Sequence, residues 1–312
     1  MFRHKDYILT IYEVGGFTKA AEKLFVSQPS LSATVKRVED RIGAPIFDRS
    51  TSPIALTETG RKYIQYAMQM KSIEEDFERF VSDSDNLLTG KLRIGGSSFF
   101  SALILPELIL EFNKKHPAIE FEILEDSTRN LIAKIGDNTL DLMIDNTVLN
   151  EEQIQAKVYQ SERLVLAVPK CFAINEQLKD RRFTAEEIKA DGHLKGKSLD
   201  LSKLKDLPFI LLHAENDTGK RAEKLFKKYE MKPNVVFYLD QQITSYNMAC
   251  MGIGVAFLSD TLVKRIAPSE DVYYYVVNDR IAQRDIYFYY KKNRYLSVAC
   301  KRFIDYNTAE QV

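Results

Sequence analysis

The chain has 312 residues, equal numbers of acidic and basic side chains, and 45% hydrophobic residues. This length is enough for about two domains, each with its own core. No run of 18 or more apolar residues occurs, so we predict no membrane-spanning helix and no membrane partner. The three cysteines are widely spaced, which excludes a disulfide framework or zinc site as an interpretation and favours a reducing, cytoplasmic location.

Residues 1–16 are interpreted as an amphipathic helix. Charged side chains at Arg3, Lys5 and Asp6 are followed by apolar positions at helical spacing. A secretory signal would instead place an uninterrupted apolar segment after the basic residues. We therefore predict that the chain begins with a structural helix.

Residues 18–42 predict two short helices joined by a tight turn. Leu31, Val35, Val38 and Ile42 are spaced four, three and four residues apart, which is helical periodicity. Ser27 is a candidate N-cap for the second helix. Its opposite face is polar and could enter a DNA major groove; alternatively, it is the solvated face of an ordinary helical hairpin. That face carries Gln28, Ser30, Ser32, Thr34, Lys36 and Arg37, with Pro29 in the first turn.

The same face suggests roles in DNA recognition. Gln28 and Ser32 are expected to contact base edges, whereas the other polar groups are expected to anchor phosphates; these are Ser30, Lys36, Arg37 and Arg49. Residues 1–60 contain eight Lys or Arg against seven Asp or Glu. Phosphate neutralisation usually supplies much of the affinity for DNA, so a single copy is expected to bind weakly. We expect the basic side chains Lys36, Arg37 and Arg49 to face DNA. Glu13, Glu39 and Asp40 are expected to face away from it.

Residues 58–88 predict one long helix with an apolar stripe. The spacing of three and four residues is that of a coiled-coil seam, which favours dimerisation between the two domains. Packing of the stripe on its own chain is the alternative. The seam residues are Tyr63, Tyr66, Met70, Ile73, Phe77, Phe80 and Leu87, and Leu88, Thr89 and Gly90 are interpreted as a hinge.

Residues 2–60 resemble the DNA-binding domain of LysR-type transcriptional regulators. The resemblance rests on FTKAAEKLFVSQPSLSATVKRVEDRIGAPIFDR and the later LTETG. It implies a winged helix-turn-helix over 1–60, a linker helix over 58–88, and an effector-binding domain over 91–312. Ala33 and Ser52 depart from the polar or basic residues that the family often has there. Base and minor-groove contacts at these two positions are therefore not expected.

After Gly90 the chain alternates between predicted strands and helices. This order predicts mainly parallel sheets with helices on both faces. Residues 101–116 are interpreted as one helix, and 175–205 as a charged insertion. The order resembles a two-lobed effector domain similar to periplasmic solute-binding proteins. By that resemblance, lobe one spans 91–162 and 269–312, and lobe two spans 163–268.

Polar residues follow several of the predicted strands. Ligands of parallel sheets bind at the carboxyl ends of strands, where helix N-termini present N–H donors. We therefore predict an effector cleft between the lobes for a small anionic or hydroxyl-rich molecule. Simple helix capping is the alternative for each residue. The candidates are Ser97, Ser98, Thr128, Asn146, Asp217 and Thr218, with Ser127, Arg129, Thr147 and Asn216 nearby.

The sequence contains no recognisable catalytic or metal-binding constellation. His4, His116, His193 and His213 are isolated, and no nucleotide-binding or hydrolase motif is present. We predict a regulator that is not an enzyme, needs no cofactor or metal, and acts as a homodimer or tetramer on double-stranded DNA, with RNA polymerase as a further partner. The alternatives are a solute-binding protein, which leaves residues 1–90 unexplained, and a thiol-based redox sensor.

Overall fold

The computed structural model describes residues 1–51, 53–83, 90–190 and 197–309. Its N-terminal domain packs helices α1 (Lys5–Val14), α2 (Phe17–Lys23) and α3 (Gln28–Ile42) against a two-stranded wing, β1 (Phe47–Asp48) and β2 (Ala55–Leu56). The Ser27 side chain accepts a hydrogen bond from the Ser30 N–H, as the predicted N-cap requires. The predicted helix-turn-helix is therefore present, with its wing. Ser52 lies outside the described residues.

Helix α4 (Glu58–Asp83) begins inside the core of the N-terminal domain. Tyr63, Ile64 and Ala67 are buried there, against residues of α1 and α3. Gly60 permits this approach, because a Cβ atom at that position would lie 2.0 Å from the Ile46 carbonyl oxygen. The first turns of the linker helix thus belong structurally to the N-terminal domain.

Lobe one begins with a parallel βαβ arrangement. Its elements are β3 (Gly90–Gly96), α5 (Ser98–Leu103), α6 (Leu105–Lys115), β4 (Ile119–Glu125), α7 (Thr128–Gly136) and β5 (Leu142–Asp145). The single helix predicted over 101–116 is wrong, because the chain breaks at Ile104 and restarts with Pro106 in the first turn of α6. Proline lacks an N–H and cannot continue a preceding helix.

Lobe two follows a long crossover strand, β6 (Ile154–Pro169). The elements of lobe two are α8 (Ile174–Gln177), α9 (Ala185–Lys189), β7 (Pro208–Leu212), α10 (Asp217–Lys228), β8 (Asn234–Leu239), α11 (Gln242–Cys250), β9 (Val255–Ser259), α12 (Asp260–Arg265) and β10 (Val272–Val276). The chain then returns to lobe one with β11 (Gln283–Lys291) and α13 (Val298–Ala309).

The sheet is mixed and not mainly parallel. β3 pairs in parallel with β4 and β5, and β7 with β8 and β9, whereas β6, β10 and β11 pair antiparallel. The first half of β6 pairs with β11 and its second half with β9 and β10. Crossing strands of this kind join the two lobes. Because β10 pairs within lobe two, the return to lobe one occurs near Gln283 and not at 269.

The segment predicted as an insertion packs over lobe two. Leu178, Leu199 and Leu204 are buried in the core beneath α10, and Phe183 and Ile188 are buried near α11 and α12. These side chains make the described parts of the segment a cover for the sheet of lobe two. Residues 191–196, including His193, lie outside the described residues.

Polar contacts tie the middle of α4 to lobe one. We call this group the clasp: Ser72, Asp76, Asp141 and Arg294. Asp76 and Arg294 lie 2.7 Å apart (Oδ1 to Nη2), Arg294 also reaches Asp141 at 3.2 Å, and the Ser72 hydroxyl donates to the Asn138 carbonyl at 3.0 Å. The clasp joins the linker helix to lobe one of the same chain.

Candidate functional sites

The exposed face of α3 presents most of the predicted DNA contacts. The buried face of the helix comprises Leu31, Thr34, Val35 and Val38. Thr34 is 5% exposed, so its predicted place on the polar face is wrong; its Oγ1 instead accepts a hydrogen bond from Arg37. The exposed side chains include Gln28, Pro29, Ser30, Lys36 and Arg37, and Ser32 is half-buried.

The wing residue Arg49 is held by three neighbours. Its Nη2 lies 3.0 Å from Glu39 Oε2, its Nη1 donates to the Ser32 hydroxyl at 3.5 Å, and its guanidinium carbon is 5.0 Å from the centre of the Phe17 ring. Glu39 therefore lies beside a basic wing residue, contrary to the expectation that it faces away. Its Oε1 also accepts the backbone N–H groups of Ile46 and Phe47, which fixes the start of the wing.

Phe25 is an exposed residue that is absent from the DNA contacts predicted from the sequence. It lies in the turn between α2 and α3, is 96% exposed and has a positive φ of 55°. A bulky residue in this left-handed conformation is unusual. The sequence signal for this exposed side chain was a lone aromatic residue between the end of a helix and the Ser27 cap. The side chain adds an apolar group beside the polar face of α3.

The predicted dimer seam is largely exposed within one chain. Tyr63 is the exception: it is 4% exposed and stacks on Phe2 in the N-terminal core, so its assignment to the seam is wrong. Phe80 also contacts Tyr295 of lobe one at a ring-centroid distance of 5.6 Å. Leu87 lies outside the described residues, as do Leu88 and Thr89 of the predicted hinge. The exposed apolar side chains are Tyr66, Met70, Ile73, Phe77 and Phe80.

A cavity of about 590 Å³ lies between the lobes. Lobe one contributes the ends of β3 and β5 and the start of α7, and lobe two contributes the loops after β7 and β8 and the starts of α10 and α11. The predicted cleft residues Ser97, Ser127, Thr128, Arg129, Asn146, Thr147, Asn216 and Asp217 line this cavity.

Two predicted cleft residues do not line it. The Ser98 hydroxyl donates to the Glu125 carboxylate instead. Thr218 is 1% exposed, and its hydroxyl oxygen accepts hydrogen bonds from Arg284 and Gln242 beneath the cavity. Both residues follow strands, as predicted, but other side chains already occupy their polar groups.

Asp145 is the buried charge of the cavity floor and is absent from the cleft residues predicted from the sequence. It ends β5 and is 2% exposed. Its carboxylate accepts a 2.7 Å hydrogen bond from the Thr128 hydroxyl and another of 2.7 Å from the Thr147 N–H. Burial raises the pKa of Asp145 above its ordinary value, against the effect of these hydrogen bonds. The sequence signal for a buried carboxylate was an aspartate at the end of an otherwise apolar strand, in the segment LDLMID.

Arg284 organises a buried polar network beneath the same floor. Its Nε lies 2.6 Å from Glu162 Oε1, and its Nη1 lies 2.8 Å from Asp217 Oδ2. Asn146 donates to the same Glu162 oxygen at 3.1 Å. Burial disfavours the ionised Asp217, but Arg284 and Arg221 outweigh it and hold the pKa of Asp217 below its ordinary value. The network links lobe one, through Asn146, to lobe two, through Asp217.

Two sections of the chain match known families. Residues 2–61 match the bacterial regulatory helix-turn-helix protein, lysR family, and residues 85–311 match the LysR substrate binding domain. The chain belongs to the LysR family. It is a transcriptional regulator with a DNA-binding helix-turn-helix and an effector-binding domain, as the sequence resemblance predicted.

Relatives of this LysR-family chain match over most of its length. An uncharacterised HTH-type transcriptional regulator, YcgK of Bacillus subtilis (strain 168), is 26% identical and covers 96% of this chain and 91% of its own. A probable RuBisCO transcriptional regulator of Trieres chinensis is 24% identical over 80% of this chain and 77% of its own.

Solved structures share the fold of this LysR-family chain. A full-length OxyR variant from Pseudomonas aeruginosa has a TM-score of 0.70 at 22% identity, covering 99% of this chain and 93% of its own. Full-length CbnR in complex with its target DNA has a TM-score of 0.68 at 16% identity, with complete coverage of both chains. The fold class predicted from the sequence is therefore confirmed, namely a winged helix-turn-helix, a linker helix and a two-lobed domain.

The family assignment removes one of the alternatives. A solute-binding protein does not account for the matched DNA-binding domain. Cys171, Cys250 and Cys300 are free thiols. Among the described residues, no helix combines the length and apolarity needed to span a bilayer.

Proposed function

We propose that this regulator binds duplex DNA through the exposed face of α3. Gln28 and Ser32 contact base edges, whereas Ser30, Lys36 and Arg37 bind phosphates. Arg49 approaches the backbone from the wing, and the Glu39 carboxylate fixes its direction. The exposure of this face beside a buried apolar face supports the assignment.

The exposed seam of α4 supports a homodimer. Five large apolar side chains on one stripe of an otherwise charged helix are costly to leave in water, at about 25 cal/mol per Å² of apolar surface. Pairing two copies of α4 buries them and brings two copies of α3 to one DNA molecule. This arrangement fits paired half-sites and offsets the weak affinity of one nearly neutral domain. Two such dimers would form a tetramer, and RNA polymerase is a further partner at a promoter.

The inter-lobe cavity is proposed as the effector site. Its walls come from both lobes, and the Arg284 network connects them below the floor. An effector that binds the closed arrangement more tightly than the open one shifts the population between them. We propose that this shift changes how paired dimers sit on DNA. The expected cytoplasmic location stays a prediction.

The DNA assignment is tested with sites selected from a random duplex pool by the full-length protein. Arg37→Ala should weaken binding to all sequences alike and reduce the slope of log affinity against log salt by about one. Gln28→Ala should cost about 1–3 kcal/mol at the selected site and change the sequence preference. Lys301→Ala, an exposed change on α13, is the control. Unchanged affinity and preference in both α3 variants would contradict the assignment.

A further inference from the structure

The inter-lobe cavity has a floor that accepts hydrogen bonds. The Thr128 hydroxyl has one proton, and it is donated to Asp145. The Thr147 N–H is donated to the same carboxylate. The Asn146 amide donates to Glu162 below the floor. These three donors of the floor are therefore already engaged, which disfavours an anion at the floor, one of the two ligand kinds (anionic or hydroxyl-rich) expected from the sequence.

The charge of the floor has the same implication. Among the residues that the structure describes, no cation lies within 4 Å of the Asp145 carboxylate. Arg284 is the nearby cation in the network and attracts the Asp145 charge from a distance, but its hydrogen bonds go to Glu162, Asp217 and Thr218. A buried carboxylate without an ion-pair partner is unfavourable in a low-dielectric site and gains most from a ligand that brings a positive charge.

The rim of the cavity is more acidic than basic. Glu151, Glu215 and Asp240 are exposed carboxylates of the lining, against the exposed cations Arg129 and Lys220. The excess of negative charge favours entry of cations. Arg129 and Lys220 are available at the rim for a carboxylate, if the ligand carries one away from its positive end.

We propose that the effector of this regulator carries an ammonium or guanidinium group that binds Asp145, and that an anion without such a group is not its ligand. The inference rests on the proposed function of the cavity and specifies the chemistry of its ligand. The ligand donates two or more hydrogen bonds to the floor, which supplies the Asp145 and Thr128 oxygens as acceptors. Simple amines and amino acids with basic side chains share this chemistry.

Calorimetry on the full-length protein tests the proposal with defined probes. Putrescine represents amines without a carboxylate, L-arginine and L-lysine represent basic amino acids, and succinate represents anions. We expect at least one of the three cations to bind and succinate not to bind. Binding of the amino acids but not putrescine would assign Arg129 and Lys220 as partners of the ligand carboxylate.

Variants link the binding to the floor. Asp145→Asn should weaken the affinity for the cation at least tenfold. Asp305→Asn, the same chemical change at an exposed site on α13, should leave that affinity within twofold of the wild-type value. If Asp145→Asn does not fold, pH decides with the wild-type chain. The affinity of a cation should fall as the pH is lowered through the pKa of Asp145, because the protonated acid has lost its charge.

Three results would overturn the inference. Succinate binding in preference to the cations would show an anion site, and the proposed effector function would stand. A cation affinity unaffected by both Asp145→Asn and pH would place the ligand elsewhere. If no probe binds at 10 mM, the cationic ligand class fails, whereas the effector role of the cavity and the DNA-binding assignment are tested separately.

Discussion

Arg294 of the effector domain binds Asp76 of the linker helix through two hydrogen bonds, Nε to Oδ2 at 2.8 Å and Nη2 to Oδ1 at 2.7 Å. Both side chains are largely buried, at 10% and 13% exposure. A partly buried guanidinium and carboxylate resist separation because each would lose its shortest charged contact in a poorly solvated place. The pair fixes the middle of α4 on lobe one.

Replacing Asp76 by Asn should loosen the clasp. The variant keeps the shape of the side chain but leaves Arg294 with less charge compensation, at a cost of about 1–3 kcal/mol. Amide hydrogen exchange in the middle of α4 should speed up by about tenfold or more. Glu78→Gln, on an exposed position of the same helix, is the control. Equal exchange in the two variants would mean that the clasp contributes nothing to the stability of α4.

Arg284→Met should destabilise the effector domain by about 3–5 kcal/mol, because Glu162 would remain buried without its cation. Glu162 is fully buried as a side chain, and Arg284 is 1% exposed. The double variant Arg284→Met with Glu162→Leu should recover most of the loss, since no unpaired charge remains. Urea unfolding measures both. A double variant as unstable as the single one would show that packing, and not charge, is the cause.

Asp145→Asn should stabilise the ligand-free protein. Because the pKa of Asp145 is raised in the folded state, the folded chain binds the proton more tightly than the unfolded chain does. Wild-type stability therefore falls as the pH rises from the unfolded pKa through the folded one. The variant lacks this loss, so its advantage should be absent at low pH and reach its full size above the folded pKa.

Thermal unfolding across pH measures this advantage. Arg284 and Tyr289 are the other titratable groups coupled to Asp145, and both keep their ordinary protonation over the acidic range. An advantage that grows as the pH falls would have the wrong sign and would contradict the assignment of a buried charge.

Ile73→Asp with Phe77→Asp should break the proposed dimer. The two side chains are 61% and 66% exposed in one chain, so the changes cost little in a monomer but place charges in a paired seam. Light scattering should show half the wild-type mass. Lys71→Asp, an exposed position outside the seam, should keep the wild-type mass. A folded double variant of unchanged mass would mean that association uses another surface.

Local patterns predicted the helix-turn-helix, because its signals are short-range. The Ser27 cap and the spacing from Leu31 to Val38 depend on residues within a few turns of one helix. The burial of Tyr63 could not be predicted in this way. Its spacing fits the seam, yet the N-terminal domain covers it, and that contact joins residues distant in sequence, such as Met1, whose carbonyl accepts the Tyr63 hydroxyl.

In the cleft too, local patterns predicted the positions of residues but not their partners. Thr128, Asn146 and Asp217 follow strands, so the rule for parallel sheets placed them near the cavity. Which of their protons remain for a ligand depends on partners from other elements. Glu162 and Arg284 lie on crossing strands, and their pairing across the lobes has no local sequence signal.

Helix α4 joins the two ends of the molecule as a single rigid lever. Tyr63 lies within the DNA-binding core and Asp76 within the clasp, and about 20 Å of helix separates them. With the far end held by Arg294, a tilt of about ten degrees at lobe one would displace the N-terminal domain, and α3 with it, by about 3 Å. That distance is comparable to a hydrogen bond, so small rotations of the effector domain would be enough to engage or release the proposed base contacts.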